Sequence, residues 1–262
     1  MDLGLSGKVV LITGSGSGIG QHTAVAFAKE GAKVAVNDIS TKGIDETLGM
    51  IAAAGGEGVA AQCDITDMDA VAAMVAAVEE KWGRLDILVN NAAVMTQHAL
   101  FLEKTPAQCD QEIRVTLYGT INCIRAALPG MIERSYGKII NIATDAARVG
   151  QEREAVYSAA KGGVISFSRS IAKEVGKNNI NVNVISPGAT NSPMRNAILE
   201  KMRKEMGAEK VAAREEKVKR VYPLRRIGEM EDVSNAVLFA ASDRARQVTG
   251  QVLSVNGGFA ML

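Results

Sequence analysis

Tyr157 and Lys161 lie four residues apart in Tyr157-Ser158-Ala159-Ala160-Lys161. On a helix, positions i and i+4 share one face, so the phenol and the ammonium address the same small volume. A free phenol titrates near ~10 and is a poor proton donor or acceptor at neutrality. A neighbouring cation favours the phenolate, so Lys161 is expected to draw the Tyr157 pKa down toward the range that acid–base catalysis needs. A second constellation is Gly14-Ser15-Gly16-Ser17-Gly18-Ile19-Gly20. Glycines at that spacing let a backbone turn tightly and approach a phosphate closely.

These groups act only if the chain positions them. Lys8-Val9-Val10-Leu11-Ile12-Thr13 reads as a buried parallel strand that runs into the glycines. A helical pattern through Thr23, Ala24, Phe27 and Ala28 opens directly behind them. Its N-terminus supplies free N–H groups and a positive dipole end to a pyrophosphate. A second strand, Lys33-Val34-Ala35-Val36-Asn37, ends at Asp38, 20 residues after Gly18. A carboxylate there accepts hydrogen bonds from ribose hydroxyls and repels a ribose 2′-phosphate. The position before Gly18 is Ser17 rather than an arginine, and NAD is favoured over NADP.

The 262 residues carry 47% hydrophobic side chains, enough for one large core, and no linker, repeat or low-complexity tract divides them. Strand-like and helical runs alternate, which predicts an α/β fold: a single three-layer, Rossmann-type, doubly wound parallel sheet over 1–262. No stretch of about 20 apolar residues and no leader pattern is present, so a cytoplasmic protein that does not enter a membrane is expected. Cys63, Cys109 and Cys123 are odd in number and lack metal-like spacing; they read as reduced thiols, with Cys63 and Cys123 as core fillers. With only His22 and His98, neither a histidine-based metal site nor a Ser-His-Asp triad is expected, and His22 reads as structural.

Together these residues resemble the classical short-chain dehydrogenase/reductase family over nearly the whole chain. The family's glycine motif matches Thr13-Gly14-Ser15-Gly16-Ser17-Gly18-Ile19-Gly20, its adenine-contacting acid matches Asp64, and its Asn-Asn-Ala-Gly motif appears as Asn90-Asn91-Ala92-Ala93. Its Pro-Gly beside the nicotinamide matches Pro187-Gly188. The resemblance implies cofactor contacts from Gly14, Ser17, Gly18, Ile19 and Gly20, then from Asp38, Ile39, Asp64 and Ile65. Further along, Asn91, Ala92, Ala93, Pro187, Gly188 and Thr190 complete the set with Tyr157 and Lys161. The implied reaction is hydride transfer between a secondary alcohol carbon and NAD. Tyr157 is the acid–base, Lys161 tunes it and holds the nicotinamide ribose, and Thr144 stands where the family has a serine. A hydroxyl remains there, on a stiffer β-branched side chain.

Two more positions depart from the pattern. Thr116, in Thr116-Leu117-Tyr118-Gly119, replaces an asparagine that helps hold a water beside the lysine; a backbone carbonyl at a helix kink remains available. Ala93 replaces a glycine, at a cost if that residue needs positive φ.

From Arg195 to Arg226 eleven basic residues face five acidic ones, although the chain as a whole is +1. By resemblance this is the substrate lid, about 189–226. Its charge suggests steering of an anionic small-molecule substrate, such as an acyl-CoA thioester or a carboxylate. Near-neutral overall charge and the absence of interleaved aromatics argue against nucleic acid. The run Asn141 to Gly150, with Glu154-Ala155-Val156, is similar to the subgroup that oxidises alicyclic hydroxyacyl-CoA thioesters. Substrate contacts are expected from Thr144, Met95, Arg148 and Met194, with Thr96, Arg153 and Ile198 nearby. The resemblance also implies a homotetramer, and the apolar ending Gly257–Leu262 suits a subunit contact.

The sequence thus reads as an NAD-dependent secondary-alcohol dehydrogenase acting on a hydroxyacyl-CoA or another anionic hydroxy compound. Reduction of a 3-oxoacyl carrier-protein thioester is the enzymatic alternative. Asp38 argues against it, because biosynthetic reductases usually take NADPH. A low-activity NAD-binding partner subunit is the other alternative, suggested by Thr116, Ala93 and Thr144.

Overall fold

A computed structural model describes residues 2–261; Met1 and Leu262, the two ends of the expected domain, lie outside the described residues. Five strands open the sheet: β1 (Val9–Ile12), β2 (Lys33–Val36), β3 (Glu57–Ala60), β4 (Ile87–Asn90) and β5 (Gly137–Ile142). Between them run the helices α1 (Gly18–Lys29), α2 (Thr41–Ala53), α3 (Met68–Trp82), α4 (Pro106–Ile113) and α5 (Gly119–Glu133). A short α6 (Ala146–Val149) and the long α7 (Ala155–Val175) lead to β6 (Ile180–Pro187). Beyond it come β7 (Thr190–Asn191), α8 (Pro193–Met206), α9 (Ala208–Val221), β8 (Gly228–Glu229), α10 (Met230–Ala241) and β9 (Val252–Val255).

The main sheet has seven strands in the order β3-β2-β1-β4-β5-β6-β9, and every pairing in it is parallel. A parallel sheet covered on both faces needs apolar side chains on both, which is why its strands read as unbroken apolar runs. In β1, Val10 and Ile12 join Phe27, Ile44 and Val237 on one face. Val9 and Leu11 join Val75, Ile124 and Met131 on the other. Helices α1 and α10 pack together on the first side, α3 and α5 on the second. Asp86, just before β4, is buried, its carboxylate accepting the Val9 N–H at 3.0 Å and the Arg84 Nε–H at 2.7 Å. His22 is structural as expected: its Nδ1 lies 2.9 Å from Ser234 Oγ, tying α1 to α10.

The strand order reverses between β1, flanked by β2, and β4. At such a switch point the loops beyond the carboxyl ends of the strands part and leave a crevice. The site draws on loops along that edge and on the N-terminal half of α7, with α8 and α9 closing its far end.

Candidate active site

At the β1–α1 turn, Gly18 has φ +59° and Gly14 φ +61°, a backbone region that side chains disfavour. A Cβ at Gly20 would sit 2.3 Å from the Gly14 carbonyl and 2.5 Å from Asn91 Nδ2, so only glycine fits. Asn91 donates from Nδ2 to the Thr13 and Gly14 carbonyls, at 3.0 and 2.9 Å, and clamps the loop to the end of β4. Ser17 caps α1 in an extended conformation without a side-chain hydrogen bond, which leaves the first-turn N–H groups directed at the crevice. Asp38 ends β2 with one oxygen accepting the Gly16 N–H and the other the Ser40 N–H, both at 3.0 Å. The cradle, its open helix N-terminus and this oriented carboxylate fit a dinucleotide.

The crevice continues into a cavity of about 770 Å³, within the usual range for a small-molecule site. Tyr157 and Lys161 both line it from α7, and both are buried. Lys161 Nζ donates to the Ile142 carbonyl at the end of β5, at 2.5 Å, and lies 6.0 Å from the centre of the Tyr157 ring. Helix α7 is held in place from below. Asn90 Nδ2 donates to Asn141 Oδ1 and Asn141 Nδ2 to Ser168 Oγ, each at 2.8 Å, so β4, β5 and α7 share one buried polar chain. Thr144 lines the cavity too, its Oγ1 accepting the Ala146 N–H at 3.3 Å and its own O–H left to donate. Asp145 behind it is buried and accepts from Ser186 Oγ at 2.7 Å and from Asn256 Nδ2, which joins this loop to β6 and to the C-terminal segment. A dinucleotide cradle running into a buried Tyr/Lys pair with a hydroxyl beside it is the arrangement of a nicotinamide-dependent alcohol/ketone oxidoreductase.

Comparison with known proteins agrees. A family model described as enoyl-(acyl carrier protein) reductase matches residues 14–260. The 3-oxoacyl-(acyl-carrier-protein) reductase FabG of Thermotoga maritima is 37% identical over 254 residues, 97% of this chain and 98% of the relative. The chain belongs to the short-chain dehydrogenase/reductase family. Another relative, the hydroxy(phenyl)methylsuccinyl-CoA dehydrogenase subunit BbsD of Thauera aromatica, is 38% identical over 256 residues, 98% of each protein. Among solved structures, levodione reductase superposes with a TM-score of 0.91 at 32% identity, covering 97% of both chains. Short-chain dehydrogenase/reductases bind a nicotinamide cofactor and interconvert alcohols and ketones.

Most of the residues expected at this family's site gather in the one cavity. Gly14, Ser17, Gly18, Ile19, Asp38 and Ile39 line its dinucleotide end, with Asp64, Ile65, Asn91, Ala92 and Ala93 beside them. Pro187, Gly188 and Thr190 follow β6, and Met95, Met194 and Ile198 face the far end. Gly20 lies behind the loop as a packing glycine. Ala93 is not among the described residues with positive φ, so its methyl carries no backbone strain.

Several expectations need correction. First, the protein's own field raises the Tyr157 pKa rather than lowering it: burial dominates, and Glu154 and Glu112 add to the rise. Lys161 cannot offset this, because burial lowers its own pKa to about 7 and thins the ammonium population at neutrality. Second, Thr116 is fully buried but is not part of the cavity lining; its Oγ1 accepts the Val94 N–H at 3.4 Å. The helix kink is present as a π turn over Arg114–Tyr118 between α4 and α5. Third, Arg148 does not line the cavity. Its guanidinium donates to Ser254 Oγ on β9 and lies 3.8 Å from Asp145, bracing the loop. Thr96 likewise points to Glu112 rather than into the cavity, and Arg153 lies 3.6 Å from the Glu152 carboxylate. Of the two cysteines expected in the core, Cys123 is buried, whereas Cys63 is half-buried at the cavity wall, its thiol pushed up by burial.

The expected lid is α8 and α9, joined where Arg195 pairs with Glu215. Much of its excess charge is neutralised locally: Glu200 meets Arg203, Lys201 meets Glu205, and Glu216 meets Lys219. Arg214 lines the cavity and has no acidic partner within ion-pair distance among the described residues. Sequence reasoning missed His98, Glu154 and Tyr222, all of which line the cavity. For Glu154 a signal existed: it precedes Tyr157 by one helical turn and so shares its face.

Proposed function

We propose that this protein oxidises a secondary alcohol with NAD, on a hydroxyacyl-CoA or a related thioester whose anionic part lies at the lid. The observation that carries the reading is the convergence of Tyr157, Lys161 and Thr144 on one wall of the cavity that continues from the Asp38-terminated cradle. A bound nicotinamide would supply the hydride acceptor. Thr144 donates its free O–H to the substrate oxygen, which fixes the carbinol. Tyr157 takes the hydroxyl proton, and Lys161, held at the Ile142 carbonyl, supports the phenolate from the neighbouring turn. Asp38 supports the preference for NAD, because a 2′-phosphate would meet a carboxylate already committed to two backbone N–H groups. Similarity to BbsD supports a CoA thioester, since that relative's name is a hydroxy(phenyl)methylsuccinyl-CoA dehydrogenase subunit.

Reduction of a 3-oxoacyl carrier-protein thioester is the second reading, favoured by the likeness to FabG. The test is cofactor reduction with NAD or NADP against secondary alcohols, free hydroxy acids and hydroxyacyl-CoA esters. Preference for NAD and CoA esters supports the first reading; preference for NADPH-driven reduction of carrier-protein thioesters supports the second. NADH binding without any turnover supports a partner subunit instead. We also place the protein in the cytoplasm, where CoA esters are made; no described helix is long and apolar enough to cross a membrane. The reading includes a homotetramer. Exposed Leu102, Tyr118 and Met261 are apolar groups that a subunit contact would cover, and a monomer mass by light scattering contradicts it.

A further inference from the structure

Beyond the Tyr157/Lys161 wall the cavity carries a second pair of titratable groups. Glu154 is the N-cap residue of α7, placed by Arg153, which turns the chain at φ +71°. His98 comes from the loop after β4. Its Nε2 lies 3.9 Å from Glu154 Oε1, too far for a hydrogen bond. Both line the cavity.

The surroundings leave Glu154 without a neutralising cation. Lys104 is near enough to act on it, but its ammonium is spent on Glu112, 2.6 Å away in a fully buried pair. Glu112 Oε1 also takes the Thr96 N–H at 2.9 Å and the Thr96 O–H at 2.8 Å, while its Oε2 has no hydrogen-bond partner among the described residues. The charged and titratable groups facing Glu154 are therefore Lys104 from the loop before α4, Glu112 from α4, His98, and Tyr157 from α7. Tyr222, after α9, feels the Glu154 charge as well. Burial holds the His98 pKa down, and Arg153, Arg214, Lys104 and Lys201 add to the fall, Arg214 and Lys201 from the lid side. The cavity is thus layered: unpaired acid beside the reacting end, basic charge toward the lid.

We infer that Glu154, with His98 opposite, is a specificity-determining residue forming a polar subsite beside the carbinol that accepts a neutral carbonyl and rejects a carboxylate. A thioester carbonyl two bonds from the carbinol takes a hydrogen bond from the protonated Glu154 carboxyl. A free acid at the same place meets a like charge once Glu154 ionises, a juxtaposition that weakens its binding. Burial raises the Glu154 pKa to about 7, with Glu112 adding to the rise, so the protonated form is present at neutrality. The sign follows: a raised carboxyl is neutral below pH 7 and charged above it, so discrimination against the free acid grows as pH rises. This rests on the secondary-alcohol reading above and narrows its substrate to the thioester rather than the hydroxy acid.

The test compares ethyl 3-hydroxybutyrate with 3-hydroxybutyrate, which share one carbinol and differ in charge. Taking the ratio of their KM values cancels effects common to both substrates, and Lys161, whose charge acts on the acid alone, is the same in wild type and variant, so the comparison between them isolates Glu154. For the wild type the KM ratio of acid to ester should rise about tenfold between pH 6 and pH 8, because only the protonated fraction binds the acid. In Glu154→Gln, which still donates an N–H but never ionises, the rise in the ratio should shrink by about tenfold and kcat/KM for the acid should be higher by about tenfold at pH 8. A merely structural role for Glu154 would not move the pH slope of this ratio. An unchanged ratio and slope in the variant overturns the inference, as does a flat ratio in the wild type, which needs no variant to fold. Oxidation of other secondary alcohols with neither test compound accepted overturns the subsite alone. Failure to turn over any alcohol or ketone overturns the function reading, and the subsite with it.

Discussion

Lys161 is the residue at which function and stability pull apart. Burial brings its pKa from 10.5 to about 7, and a shift of that size corresponds to several kcal/mol at about 1.4 kcal/mol per unit. The group is depressed in the fold, so the unfolded chain binds the extra proton between pH 7 and 10.5. Stability therefore rises with pH through that window, and the full penalty is present below it. Lys161→Met removes the penalty. At pH 6 the variant should melt at a higher temperature than the wild type by several degrees, while losing turnover; an unchanged or lower Tm at pH 6 contradicts the burial argument. Tyr157 teaches the complementary point: spacing alone places a phenol and an ammonium together, but desolvation decides which proton equilibria they acquire.

At the scale of elements, the β1–α1 loop is the tightest joint in the site. Alanine at Gly20 forces its Cβ against the Gly14 carbonyl and the Asn91 amide, whose two hydrogen bonds hold the loop to β4. Gly20→Ala should weaken NADH binding by at least about tenfold and cost about 1–3 kcal/mol of stability, as overpacking does elsewhere. Fluorescence titration and chemical denaturation check the two effects; wild-type values in both mean that the loop has slack it does not show. The glycine loop, β1 running into it and β2 with Asp38 just beyond it were legible because each is local: a strand period, a turn, a helix start. What was not legible depends on which way a side chain leaves a helix. Thr116 turns toward Val94 at the π turn, and Arg148 toward Ser254, because neither direction is encoded in spacing. His98 and Glu154 meet only through the packing of the β4 loop onto α7, so their pairing had no sequence signature.

Over the whole molecule, charge is distributed by sign along one crevice: Asp38 and Asp64 at the dinucleotide end, Glu154 in the middle, Arg214 at the lid. The lid's excess charge is smaller in effect than its composition implies, because Arg195, Lys201, Arg203 and Lys219 already have acidic partners. Steering should accordingly be modest. Raising ionic strength should lower kcat/KM for a hydroxyacyl-CoA several-fold and leave that for a neutral ester of the same alcohol unchanged. Equal salt dependence for both removes the lid's role in steering. The most direct measurement of the central claim sets wild type beside Tyr157→Phe. NADH affinity is taken by fluorescence, and oxidation of a hydroxyacyl-CoA with NAD by absorbance. The expected result is NADH binding kept within a few-fold and turnover reduced by at least about a hundredfold, the loss appropriate to a general acid–base. Turnover surviving in the phenylalanine variant would contradict catalysis at this site.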